Sequence, residues 1–386
     1  MENIKQRIEL GEIFASHADD FLHHHKLVPA QAKAFQDILK CRTAALGGHV
    51  FQCDKCGNRS QTYNSCRNRH CPKCQFVRKA VWVDKLAANL PPVKHFHIVF
   101  TIPDCLHKLF YHNQKLAYDA LFNAAGQALA KCASNPAFLG AQTGAVAILH
   151  TWGQALTYHP HIHMMVPGGG LSEDQMEWVP ANKKFFLPVK ALSKVFRAIL
   201  CRLLEESIVS GEMRMPIDNK NFREVKDKAY SKDWVVFCEK PFAGPNALLN
   251  YLGNYTHRVA IANSRIQSFS GGKVSFSYKD YRTDGRHKTM TLDANEFIRR
   301  FLQHVLPSGF CKVRYFGYLA IRNMKTKLAD CIHLIGKIMF LPQLQGLNAI
   351  EVLWMITGSD PLVCPNCKKG KMRVKKMMNL ELLKPG

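Results

Sequence analysis

Residues 159–163 read His-Pro-His-Ile-His, and Tyr251 and Tyr255 stand four apart in LLNYLGNYTHRVAIAN. Side chains alternate along a strand, so His161 and His163 project together while Ile162 turns to the other face, and His159 joins them if the strand begins early enough. On a helix, residues four apart are neighbours at roughly 6 Å, so two phenols can address one phosphate. A phenol ordinarily titrates near about 10. Its attack on a phosphodiester therefore needs the phosphorus made more electrophilic and the leaving 3′ oxygen stabilised, which a divalent cation does as a Lewis acid. Neutral imidazoles that leave coordination positions open for phosphate oxygens suit Mg2+ or Mn2+. A strand His-x-His pair alone, or tyrosines at helical spacing alone, more often belong to a core. Together they point to metal-assisted cleavage of a DNA strand. A third ligand is not fixed by spacing: His159, Gln154, His257, Asn263 and Gln267 are the candidates, and a second strand-like pair, His95 and His97, reads as structural.

The elements that position these residues can be read from pattern. Apolar spacing through Ile4, Ile8, Ile13, Phe14, Phe35, Ile38 and Leu39 predicts a helical lead-in over 1–46, stopped by Gly47-Gly48. Short strands are expected at His49–Gln52 and Ser60–Tyr63, and a connecting helix over Phe76–Leu90 that Pro91-Pro92 ends. Then come a β-branched run at 95–103, a helical stretch at 104–135 and strands at Ala145–Trp152 and His161–Val166. That order is β-α-β-β, and a helix near Leu192–Glu206, a strand at Trp234–Cys238 and a helix over Asn246–His257 follow it. The fold class expected is α+β, a helical and zinc-ribbon module followed by a ferredoxin-like sheet with helical and β insertions. The expected boundaries are 1–92, 93–325 and a helical C-terminal region over 326–386.

Cys53-x2-Cys56 and Cys71-x2-Cys74 have the spacing of two zinc knuckles that must meet face to face around a tetrahedral ion. Cys66 and His70 lie between the pairs as alternates. Arg67, Arg69 and Lys73 crowd the same segment, where a metal-held loop could present them to phosphate. Cys364 and Cys367 offer half a ligand set, to be completed by Cys331 or His333, by a second chain, or not at all.

Charge agrees with a polyanionic partner. The chain of 386 residues carries 53 Lys and Arg against 29 Asp and Glu, a formal net charge of +24. No apolar run long enough to span a bilayer stands beside these charges, which disfavours a membrane surface as the partner. The N-terminus carries no signal pattern, so a cytoplasmic location is expected, and 14 cysteines in a chain this long read as reduced, partly metal-bound thiols. Arg258, Arg265, Arg299, Arg300, Lys312 and Arg314 alternate with Phe269, Phe276, Tyr278, Tyr281, Tyr315 and Tyr318, as a groove for stacked single-stranded bases would.

Five blocks carry a resemblance to a known family: CDKCGNRSQTYNSCRNRHCPKCQ (53–75), HFHIVFTIP (95–103), HPHIHMMVPGGGLS (159–172), YLGNYTHRVAIANSRI (251–266) and MTLDANEFIRRFLQHVLPSGFCKVRYFGYLA (290–320). In combination they resemble the two-tyrosine HUH transposases of rolling-circle insertion sequences, the IS91 type. The resemblance implies structural Zn2+ on Cys53, Cys56, Cys71 and Cys74, a divalent ion on His161 and His163, and Tyr251 and Tyr255 as nucleophiles. It implies single-stranded DNA of element ends and target as substrate, with Arg67, Arg69, Lys73, Arg258 and Arg265 as DNA contacts. No GxxxxGK[ST] phosphate loop occurs, so unwinding is expected of host replication proteins. Two other readings share some of these features. They are a plasmid or phage rolling-circle replication initiator, and a noncatalytic zinc-ribbon DNA-binding protein in which the tyrosines only pack.

Overall fold

A computed structural model describes residues 8–182, 186–217, 221–242, 260–280, 283 and 285–378. Tyr251, Tyr255, His257 and Arg258, and the helix expected over 246–257, lie outside the described residues.

The lead-in forms α1 (Leu10–Ser16), α2 (Ala18–His24) and α3 (Pro29–Lys40), the last with proline in its first turn, where a missing N–H costs nothing. A hairpin follows, β1 (Gly48–Cys53) and β2 (Arg59–Tyr63), and then α4 (Phe76–Ala88). The next elements are β3 (His95–Thr101), α5 (His107–His112), α6 (Gln114–Ala133), β4 (Ala145–Trp152) and β5 (Tyr158–Pro167). The stretch expected as one helix over 104–135 is thus interrupted at Asn113, whose amide caps back onto the Leu109 carbonyl at 3.0 Å. A small ribbon of β6 (Gly169–Leu171) and β7 (Trp178–Pro180) leads to α7 (Val189–Val209), α8 (Phe222–Tyr230) and β8 (Val236–Phe242).

The principal sheet has the order β12-β4-β5-β3-β8, where β12 is Val313–Phe316, and each neighbouring pair is antiparallel. Without β12 this is the 4-1-3-2 order of two split β-α-β units, so the chain is α+β with a ferredoxin-like sheet extended by one edge strand. One face carries Phe96, Ile98, Phe100, Ala147, Leu149, Ile162 and Met164 against α6 and α7, all in one buried core. Gly126 on α6 is required there, because a Cβ would come within 2.4 Å of the Phe316 ring.

The opposite face is mixed. Val146, Ile148 and Met165 bury themselves beside Leu86, Tyr318 and Leu319 at one end, and the histidines occupy the middle. A second sheet, β9 (Ile266–Ser270), β10 (Lys273–Asp280) and β11 (Arg286–Asp293), packs with the helix Ala294–Leu302 against α1 to α3. Phe14 stacks on Phe35 at 5.1 Å and meets Phe301 edge-on at 5.6 Å, each pair adding about 0.5–1.5 kcal/mol beyond simple burial. The remaining elements are helices Lys327–Ile335 and Ala349–Thr357 and a last strand, β13 (Met372–Met378). That strand pairs antiparallel with β1, giving a three-stranded ribbon β13-β1-β2. No described helix is long and apolar enough to cross a membrane.

Candidate metal centre and zinc module

Strand alternation places His159, His161 and His163 on the mixed face of β5, and the register of β4 sets His150 directly opposite His161. His150, His161 and His163 thereby bring three ring nitrogens within 4.8 Å of one another, enough to share one ion. His161 Nδ1 lies 2.7 Å from the His159 carbonyl oxygen, which can only accept, so that nitrogen holds the hydrogen and Nε2 is left as donor to a metal. His163 Nδ1 is 2.8 Å from His97 Nε2, and the two rings stack within 5° of parallel. His97 therefore orients His163, giving the second His-x-His pair a positioning task rather than a ligand's. His95 is not among the residues that line the histidine cleft; it is buried with its Nε2 unpaired, and burial pushes it down to about 4.

Burial, reinforced by repulsion from His159 and His97, pushes His161 down to about 3. Burial and then repulsion from His150, His161 and His97 hold His163 well below its ordinary value. Both imidazoles are thus neutral at physiological pH, the state in which nitrogen binds metal. They line a cleft of about 560 Å³ with Thr101, Trp152, Gln154, Phe237, Ala260 and Arg265 among its walls.

Among the third-ligand candidates, His159 lines the cleft but contributes its carbonyl to His161. Asn263 Oδ1 accepts from Leu10 N at 3.3 Å and Gln267 Oε1 from Thr289 Oγ1 at 2.9 Å. The Gln154 carbonyl accepts from Arg265. His150 is the residue that spacing missed. The hairpin joining β4 to β5 pairs it with His161, and counting residues outward from that turn was the available signal.

The four thiols expected at one zinc site are not brought together. Cys71 and Cys74 cluster with Cys41 and Cys66, whereas Cys53 and Cys56 cluster with Cys364 and Cys367. The reason is geometric. Cys53 and Cys56 sit at the tip of the β1–β2 hairpin; Cys41 precedes β1 and Cys66 follows β2, so both sit at its open base. A strand of this length separates tip from base by roughly 17–20 Å, too far for one ion. Cys66 is therefore a member of the basal set. His70 is not: its Nε2 accepts from Leu306 N at 3.1 Å, and burial pushes it down to about 3. In the basal set Cys41 Sγ lies 3.3 Å from Cys74 Sγ and 3.6 Å from Cys71 Sγ, near the edge of about 3.8 Å that a tetrahedron with 2.3 Å Zn–S bonds requires.

The expected DNA-contacting side chains have differing placements. Arg69 donates to the carbonyls of Phe310, at 2.5 Å, and Pro307, at 2.8 Å, so its guanidinium fastens the cysteine-rich loop to the segment after helix Ala294–Leu302. Lys73 pairs with Glu9. Arg67 is exposed, with a left-handed φ of 55°. Arg265 lines the histidine cleft while donating to the carbonyls of Ser277 and Gln154 at 2.8 and 2.6 Å. Within the expected basic groove, Arg299 and Arg300 both pair with Glu296, whose carboxyl the Arg299 hydrogen bonds lower most, to about 2. Arg314 pairs with Asp119, and the Phe276 and Tyr318 rings are core.

Comparison with known proteins adds a name to this arrangement. Residues 13–102 match the transposase zinc-binding domain of the IS91 type, a span that includes Cys41, Cys66, Cys71 and Cys74. Residues 144–327, which include His150, His161 and His163, match a family described as "Putative transposase". The protein class is therefore a zinc-binding transposase, an enzyme acting on DNA, and the zinc is structural. The chain is 42% identical over 373 residues to "Putative transposase y4qJ" of Sinorhizobium fredii, covering 94% of each protein. It is 30% identical over 288 residues to the transposase for insertion sequence element IS801 of Pseudomonas savastanoi pv. phaseolicola, covering 74% of this chain and 69% of that one. The chain belongs to the IS91 family of transposases. No solved structure matches it.

Proposed function

We propose that the chain cleaves and rejoins single-stranded DNA at the ends of its element through 5′-phosphotyrosine intermediates on Tyr251 and Tyr255. The observation that carries this reading is the convergence of His150, His161 and His163 in an open cleft, with the His161 and His163 imidazoles neutral. The donor set fits a divalent ion, Mg2+ or Mn2+, which when bound supplies Lewis-acid polarisation of the scissile phosphate. Ala260 and Ile261 wall the same cleft, and Tyr255 precedes Ala260 by five residues, a reach of at most ~18 Å.

The phenol oxygen of one tyrosine attacks phosphorus, forming the Tyr–O–P bond as the P–O3′ bond breaks. The phenol's proton is accounted for by the released 3′-OH. Rejoining reverses these bonds and needs no nucleotide, because the phosphotyrosine retains the phosphodiester's energy. The second tyrosine cuts a second strand while the first is still occupied, which permits transfer from donor to target. Arg265, at the cleft wall, and Arg67, which is exposed, contact the strand's phosphates in this reading.

The test is incubation of purified protein with labelled single-stranded element ends and Mg2+ or Mn2+, followed by denaturing gels. A covalent adduct lost in Tyr251→Phe/Tyr255→Phe and in His161→Ala supports the reading. Folded protein that binds these ends yet yields no adduct sinks it and leaves a noncatalytic DNA-binding role.

A further inference from the structure

The cysteines at the hairpin tip belong to neither requirement already described. Cys53 and Cys56 are only half a tetrahedral set, and the other half comes from the far end of the chain. Cys53 Sγ lies 3.7 Å from Cys367 Sγ, and Cys56 Sγ lies 3.7 Å from Cys364 Sγ, each close to the about 3.8 Å edge of a zinc tetrathiolate. Neither family match reaches Cys364 or Cys367.

The two halves are built alike. In the first knuckle Cys53 N donates to Asn58 O at 2.8 Å, and Gly57 after the second cysteine takes a left-handed φ of 71°. In the second, Cys364 N donates to Gly370 O at 2.8 Å, and Lys368 after the second cysteine takes a left-handed φ of 56°. Backbone N–H groups of Lys55 and Gly370 point at Cys53 Sγ and Cys367 Sγ at 3.4 and 3.3 Å, hydrogen bonds that favour thiolates. A Cβ on Gly370 would fall 2.4 Å from Cys53 Sγ, so only glycine lets the second knuckle close on the first.

The polypeptide around the sulfurs is committed to the same junction. Asp54 N donates to Lys371 O at 3.1 Å, Lys371 N donates to Asp54 Oδ1 at 2.8 Å, and β13 continues from there along β1 from Cys53↔Met372 to Gly48↔Met378. Cys331, the partner suggested by sequence, is buried instead with Tyr318 and Leu328.

We infer that Cys53, Cys56, Cys364 and Cys367 form a second zinc site, distinct from the basal one, by which one ion fastens the C-terminal strand to the N-terminal hairpin. The ion closes a loop of about three hundred residues, so its removal frees β13 while leaving the basal set its own four sulfurs. Binding requires the thiols as thiolates, and their protons pass to solvent.

Zinc content of the full chain, purified under reducing conditions, tests this independently of any DNA cleavage. Two zinc ions per chain are expected for the wild type and one for Cys364→Ser/Cys367→Ser, one ion for each four-thiol set. A wild type holding one zinc, or a double variant still holding two, overturns the inference. Should the double variant fail to fold, thiol alkylation of the wild type decides. Cys53, Cys56, Cys364 and Cys367 are expected to resist labelling together in zinc-loaded protein and to become reactive together on chelation. Ready labelling of Cys364 and Cys367 while Cys53 and Cys56 stay protected, or an intact mass showing disulfides in place of metal, overturns it equally.

Discussion

His97 Nε2 lies 2.8 Å from His163 Nδ1, across two strands whose register sets His97 against Met165 and His163 against Val99. The bond is therefore diagonal, and it holds the ring of His163 where one of its nitrogens lies within 4.8 Å of ring nitrogens of His150 and His161. Partners of this kind typically account for roughly 10–100-fold in metal affinity. His97→Phe is expected to raise the Mn2+ concentration needed for adduct formation by that factor while leaving the rate at saturating metal nearly intact, and His97→Gln is expected to recover part of the loss. Equal loss at all metal concentrations would mean that His97 has some other task.

Arg69 and Arg67, two residues apart in one basic cluster, are expected to behave oppositely. The Arg69 guanidinium is spent on the carbonyls of Pro307 and Phe310, and hydrogen bonds from a charged group contribute on the order of 1.5–3 kcal/mol. Arg69→Ala should lower the urea midpoint by a stability loss of roughly 2–3 kcal/mol, with little change in DNA affinity of the folded protein. Arg67→Ala, at an exposed position, should leave the midpoint alone, weaken DNA binding across sequences and reduce the salt slope by about one. Unfolding curves and salt-dependent binding isotherms on the same two variants separate these outcomes.

That contrast also marks what the sequence could and could not reveal. Periodicity located β3, β4 and β5 because their alternation is a local property, and it put His161 and His163 on one face for the same reason. His150 became a ligand candidate only through pairing of β4 with β5, and pairing register is not a property of either strand alone. The short strands β12 and β13 were likewise invisible, since each exists by adding to an edge supplied from elsewhere. Two adjacent Cys-x2-Cys pairs suggested one site because spacing cannot tell the tip of a hairpin from its base. Charge was misleading in a similar way: Arg299, Arg300 and Arg314 look like a groove in sequence and are paired to Glu296 and Asp119 in the fold.

The candidate site's three imidazoles also bear on metal preference. Nitrogen donors suit Mn2+ better than Mg2+, which prefers oxygen and yields water slowly. Adduct formation is accordingly expected at a several-fold lower concentration of Mn2+ than of Mg2+, and His150→Asp should narrow or reverse that difference by substituting an oxygen donor. Titrating both metals against wild type and variant measures it; identical curves for the two metals in the wild type would argue against a three-histidine donor set.

Acid should weaken the fold through His304, which is remote from the proposed ligands in sequence and buried among Thr151, Leu156 and Gln303. Burial pushes it down to about 3, against about 6.5 for an exposed imidazole. Between those values the unfolded chain binds a proton that the folded one refuses. The stability this group contributes is therefore fully present above about pH 6.5 and is lost as pH falls towards about 3, at up to about 1.4 kcal/mol per pH unit. His304→Gln removes the titrating group and should flatten the pH dependence of unfolding by about one proton relative to wild type. The comparison is best made by urea denaturation between pH 4.5 and 6.5, where Glu296, held down to about 2 by Arg299 and Arg300, stays ionised in the folded protein. Parallel slopes for wild type and variant would show that His304 gains its proton without unfolding.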